Sequence, residues 1–299
     1  MGSELTLEFF RIYTTNPTLG VDYIDIGEEP YILREFDGTS QNLSTPQTVK
    51  GPQQIGTTFI NTVTAGRTVI ISARVIADTW DELHTRKATL ASALAIEPTT
   101  GLTPPNLLTL EYHRDGFTAV RLSVVPVESP QFKDQEGAIV SDADMEFYAP
   151  DAYWTLDTDE VVNLASSAGG FQFPLQLPVE IVLATTSINI FNVSDYSAPI
   201  VARIFGSITG PRLVNVTTGE ILEISGTIAA GSYIEIDTSF GHKSITLVEP
   251  STTSNVFDRL VLGSVFWQLR PGTNTVKLES SSSSGGSATI VWRPRFSGV

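Results

Sequence analysis

Between Ala138 and Leu156 the chain reads AIVSDADMEFYAPDAYWTL, and its first half alternates without a break. Ile139, Ser141, Ala143, Met145 and Phe147 fall on one side of an extended segment. Val140, Asp142, Asp144, Glu146 and Tyr148 fall on the other, which is the period of a strand with one buried face. Such a strand needs a sheet to close, so the residues before it must supply its neighbours. Pro150 removes a ladder donor and, with Asp151, ends the run, placing Tyr148, Tyr153 and Trp154 as a predicted aromatic seal where a first domain hands over to a second.

Upstream, Leu5, Leu7 and Phe9 alternate with Thr6, Glu8 and Phe10, and Thr68 to Ile76 repeats the period with Val69, Ile71, Ala73 and Val75 on one face. The polar stretch from Glu28 to Gln54, punctuated by Gly and Pro, supports only short extended pieces and is expected to be an arm. Its apolar residues Tyr31, Ile32, Leu33 and Phe36 are expected to anchor it on a neighbouring subunit, because a segment so poor in periodicity gains little from its own core. One helix is predicted, about 79–96, opened by Thr79-Trp80-Asp81-Glu82 as a capping box and closed by Pro98 with Gly101. Leu107–His113 and Ala119–Val127 complete the first domain, 1–157.

Residues 158–172, rich in Ser, Ala and Gly toward their end, are expected to be a linker, with a second domain over 173–299. No helix is signalled there. About ten short β-prone runs follow one another between turns, among them Glu180–Ala184, Ile200–Phe205, Tyr233–Asp237, Val265–Leu269 and Ala288–Trp292, which argues for a two-sheet sandwich of jelly-roll type. The expected fold class is mainly β.

The chemistry that composition allows is narrow. With no cysteine among 299 residues, disulfides, thiolate metal sites and cysteine nucleophiles are excluded, and no apolar run reaches membrane-spanning length. Met1 to Thr6 fits a myristoylation pattern by letter, but the run continues at once as a strand and is read as chance. The net charge of −15 divides as −10 over residues 1–150 and −5 over the remainder, without a basic patch for nucleic acid. His84, His113 and His242 lack metal-ligand spacing, and no G-x-S-x-G elbow or P-loop occurs. Asp142, Asp144 and Glu146 lie on one strand face. They are read as a solvated or channel-facing surface in preference to a cation site or a hydrolase carboxylate pair. Tyr233, Phe266, Trp267 and Trp292 are read mainly as sandwich core, with sugar stacking as the alternative.

The second half carries an ordered series: Ala198-Pro199-Ile200, Gly210-Pro211-Arg212-Leu213-Val214-Asn215, Thr218-Gly219-Glu220, Tyr233 to Thr238, Ser264 to Asn274, and Trp292-Arg293-Pro294. In that order it resembles the phage distal tail protein (Dit) family of long non-contractile tails, and the first half resembles the same family. The resemblance implies an N-terminal ring-forming domain, a C-terminal galectin-like β-sandwich, and no catalytic residue, cofactor or metal. It also implies a homo-hexameric ring in the virion tail tip, between a tail tube protein and a tail-associated hub protein, with receptor-binding proteins nearby. DNA would pass the lumen without specific binding, and Asp142, Asp144 and Glu146 are the expected lumen face. A carbohydrate-binding sandwich at the host surface is the alternative function.

Overall fold

A computed structural model of the chain describes residues 8–14, 22–40, 44–95, 107–165, 187–280 and 286–299. The chain forms two compact units, Met1–Asp157 with Phe296–Val299, and Thr158–Arg295.

The first unit contains β1 (Glu8–Tyr13), β2 (Tyr23–Ile26), β3 (Tyr31–Asp37), β4 (Ser44–Val49), β5 (Thr58–Thr64), β6 (Arg67–Ile76), β7 (Leu108–Arg114), β8 (Val120–Pro126), β9 (Gln131–Asp134), β10 (Val140–Ala149) and β11 (Trp154–Leu156). A helix, α1 (Trp80–Ala93), lies between β6 and β7. The main sheet runs β2-β1-β7-β8-β10-β6-β3, with β9 beside β10 and β11 beside β8. β8 and β10 meet over two residue pairs only, a corner at which the ribbon turns. β10 then pairs with β6 along its whole length, from Val140↔Ile76 to Ala149↔Arg67. The alternation has the face predicted for it: Ala143, Met145 and Phe147 are buried against the same core as Val69, Ile71, Ala73 and Val75. Phe10 of β1 and Phe36 of β3 touch edge to face at 5.3 Å, so the two ends of the ribbon close over one core.

At the start of α1 the Thr79 hydroxyl accepts a bond from the Glu82 amide at 3.2 Å, while Glu82 reaches back to the Asp78 amide at 3.0 Å. Leu83 and Leu90 bury the helix against the sheet.

The first part of the arm expected over 28–54 requires correction. Tyr31–Asp37 is a regular edge strand of its own sheet, pairing Tyr31↔Val75, Ile32↔Arg74, Leu33↔Ala73 and Phe36↔Ile71 across a bulge. The bulge is the physical reason the segment lacks a clean period, since it shifts the alternation between Leu33 and Glu35. Tyr31 is buried and bonds the Arg86 carbonyl at 2.9 Å, and Leu33 and Phe36 pack on the core, so these residues anchor β3 at home.

The second unit contains β12 (Glu160–Ala165), β13 (Ser187–Asn192), β14 (Ile200–Phe205), β15 (Ile208–Thr209), β16 (Arg212–Asn215), β17 (Glu220–Glu223), β18 (Thr227–Ile228), β19 (Tyr233–Asp237), β20 (Ser244–Val248), β21 (Thr253–Asn255), β22 (Gly272–Glu279) and β23 (Ser287–Trp292), after which β24 (Arg295–Phe296) returns the chain to β11. Sheets β12-β23-β14-β19-β20-β21 and β13-β22-β16-β17 enclose one core, with Ile200, Ile204, Ile234 and Ile290 from one sheet and Ile190, Leu213, Leu222 and Val276 from the other. Part of the expected linker is structured, because Glu160–Ala165 pairs with β23 from Glu160↔Trp292 to Ala165↔Ser287. The strand expected at Glu180–Ala184 and the Met1–Thr6 motif lie outside the described residues.

Val265–Leu269 is not a strand. The Trp267 amide bonds the Val265 carbonyl at 2.9 Å, and only Leu269 makes a bridge, to Ala198. The turn residues named from sequence do what their chemistry suits: Asn274 accepts from the Arg270 amide at 3.1 Å and donates to the Arg270 carbonyl at 2.7 Å, over Gly272 at φ +86.

Candidate assembly interface

The segment between β3 and β6 contains the feature that the first unit's own core does not explain. β4 and β5 pair only with each other, as a two-stranded ribbon that is separate from the main sheet. Every residue of both strands is exposed. A lone two-stranded ribbon is at best marginally stable in water, and exposed large apolar side chains on one mark a candidate interaction surface. Here those side chains are Val49, Ile55, Phe59, Ile60 and Val63, with Phe59 and Ile60 each 62% exposed. A bulge leaves Ile60 unpaired and sets Phe59 opposite Thr48 but Val63 opposite Thr45, so Phe59 and Val63 fall on opposite faces and both faces of the ribbon are adhesive. Over residues 44–64 the only charged side chain is Lys50, although the chain as a whole carries −15. Such a ribbon can approach an acidic surface without repulsion.

The three acids predicted as one face do share the outward side of β10, each half-exposed. They do not form a bare negative wall. Arg74 on β6 holds Asp142 by two bonds of 2.8 and 3.1 Å, and Asp144 accepts from Lys133 at 2.5 Å and from Ser72 at 2.6 Å. The bond from Arg74 holds the Asp142 carboxyl below its usual range, and those from Lys133 and Ser72 do the same for Asp144. The physical reason is register: Arg74 on β6 and Lys133 on β9 both stand across from Asp142, Ser72 stands across from Asp144, and Lys133 reaches Asp144 diagonally.

A denser polar cluster, unnoticed in the sequence, sits on β1, β7 and β8. Glu111 is 3% exposed yet ionised: burial pushes its pKa up, but His113, Tyr13 and Arg121 outweigh burial and hold the carboxyl low. Tyr13 and Arg121 each bond it at 3.0 Å, and Arg121 also pairs with Asp157. His113 Nε2 lies 2.9 Å from the carboxylate, and its ring stacks on Phe9 at 4.2 Å. No group of His, Asp and Glu able to hold a metal occurs among the described residues.

Of the rings weighed as sugar platforms, Trp267 and Trp292 are core, 1% and 5% exposed, and Trp267 donates to the Leu213 carbonyl at 3.2 Å. Phe266 is half-buried and stacks on Phe257 at 5.7 Å, and Tyr233 packs against Phe205 at 5.4 Å. Trp154, placed in a seal between domains from sequence, lies fully inside the core of the first unit, where it bonds the Thr39 carbonyl at 3.1 Å. No helix among the described residues is long and apolar enough to cross a membrane.

No curated protein sequence matches the chain. A family model for the C-terminal domain of the siphovirus-type tail component matches residues 194–296. Among solved structures, the Dit protein (gp 19.1) of phage SPP1, described as a paradigm of hub adsorption apparatus in phages infecting Gram-positive hosts, matches with a TM-score of 0.63 at 15% identity, covering 96% of this chain and 99% of that one. A chain of the phage P2 baseplate in its activated, calcium-containing conformation matches with a TM-score of 0.50 at 11% identity, covering 98% and 99%. At such identities the structural likeness is one of fold, and it spans both units. Residues 194–296 thus match the C-terminal domain of the siphovirus-type tail component, and the chain as a whole has the fold of the SPP1 distal tail protein.

Proposed function

We propose that this protein is a structural component of the phage tail tip that self-associates into a ring, a hexamer by analogy with the distal tail family, joining the tail tube to the tail-tip hub. The observation that carries the reading is the exposed ribbon of residues 44–64, which has adhesive faces and no place in its own sheet. Each large apolar side chain it buried on a neighbouring copy would contribute roughly 1.5–3 kcal/mol before the costs of association. The partners are further copies of the chain, a tail tube protein, a hub protein and receptor-binding proteins, and its place is the virion. In this ring the face bearing Asp142, Asp144 and Glu146 is assigned to the lumen. With two of the three acids paired, it would let DNA slide by near charge balance, with Glu146 adding a modest repulsion.

Replacing residues 44–64 by a two-residue turn tests the reading. Sedimentation velocity and negative-stain images should show rings for the parent chain and folded monomers for the variant. Rings of unchanged size without the ribbon, or a monomeric parent at every reachable concentration, would overturn it. Deleting 28–54 instead would remove β3 and damage the sheet, so it is the wrong cut.

A further inference from the structure

The ribbon enters from Gly38–Ser40 and leaves through Gly66–Arg67, and these two roots are held by one side chain. Arg67 is 2% exposed. Its Nη1 donates to the carbonyls of Gly38 at 2.7 Å and Thr39 at 2.8 Å, its Nε to that of Ala152 at 2.8 Å, and its Nη2 to that of Ser297. The planar fork suits this use, because one rigid group fixes the relative position of several backbone segments. Trp154 adds a bond to the same Thr39 carbonyl. The glycines at the root leave no room for adjustment: a Cβ on Gly66 would stand 2.3 Å from the Tyr148 hydroxyl oxygen, and one on Gly298 would stand 2.9 Å from Ser40 Cα. Residues 297–298, more than two hundred positions away in sequence, are thus packed at the base of the ribbon, inside the first unit to which they belong.

We propose that Arg67 and residues 297–298 form a clamp that aims the ribbon, and that these positioning residues set its competence to dock on a second copy of the chain. A ribbon with a fixed root loses less freedom on docking than one that swings, so the clamp acts through pre-organisation and touches no partner itself. The docking part of the proposal rests on the reading of the ribbon as the self-association element; the aiming part does not.

The absence of cysteine allows the test in the full chain. Spin labels on Ile55→Cys at the ribbon tip and His84→Cys on α1, both in the first unit, report the tip's distance distribution at a dilution where the chain is monomeric. Truncation after Phe296 should broaden that distribution, while Gly298→Val, which keeps the bonds of Arg67 but wedges against Ser40, should shift its mean. Both should weaken self-association by about ten-fold or more, whereas wild-type-like protection of the β6–β10 amides against exchange shows that the sheet itself is intact. Arg67→Lys, which keeps the charge but not the fork, should behave like the truncation. Distributions identical to the parent's in the truncated and Gly298→Val chains would overturn the clamp. A broadened distribution in a chain whose parent never associates would leave the clamp standing and remove the ring.

Discussion

At the scale of single residues, Glu111 is the group whose environment makes the sharpest demand. A carboxylate with its charge buried survives only because Tyr13 and Arg121 donate to it and His113 lies beside it, and removing that charge leaves Asp157 as the carboxylate partner of Arg121. Glu111→Gln is expected to destabilise the first unit by about 2 kcal/mol, read as a lower urea midpoint. Because the native pKa of Glu111 is depressed, its contribution is complete above the unfolded value of about 4.3 and is lost as pH falls through that value toward the lower native one. Asp142 and Asp144 titrate in the same direction, so acid should weaken the first unit along this window. The Gln variant should show a shallower acid dependence than the parent, and an identical profile would remove Glu111 as its cause. None of this was legible in sequence. Glu111 sits between Leu110 and Tyr112 and alternation assigns it to the outer face, but the burial there comes from β1 and β8 side chains that only the pairing of strands brings over it.

At the scale of elements, period two located the strands well wherever one face is core and the other solvent, as in β6, β10, β14, β19 and β23. It failed where the face count differs. The ribbon of β4 and β5 has no buried face among the described residues, so β4 reads only as part of an arm and β5 gives no strand signal, while β3 is masked by its bulge. Val265–Leu269 failed in the opposite sense: β-prone residues end in a local turn because the Trp267 indole needs both the core and the Leu213 carbonyl. Trp267→Ala should therefore cost the second unit about 3–5 kcal/mol, measured by thermal or denaturant unfolding, and leave the first unit's transition in place. A loss of glycan or surface binding with an unchanged midpoint would instead mark Trp267 as a contact residue.

At the scale of the whole molecule, the outline of two β units with one α-helix among the described residues was readable from the alternation of β runs and turns, and the ordered turn motifs of the second half fall largely within the residues that the family model matches. What could not be read was that the first unit is written in two pieces, since four residues at 296–299 carry no periodic signal of their own. The pairing of β12 with β23 has a consequence for how such a chain can change. Because Glu160 stands opposite Trp292 and Arg293 pairs with Asp159, the second unit begins and ends at the same spot, like a guest seated in a single loop of its host. A lodger whose two ends meet can be exchanged without stretching the loop that receives it, and closing that loop costs little more for a large guest than for a small one. Excising residues 159–293 in favour of a short Gly/Ser bridge should leave a soluble first unit with its sheet and its clamp intact, checked by amide exchange. Collapse of that host into an unfolded chain would show that the guest has become indispensable.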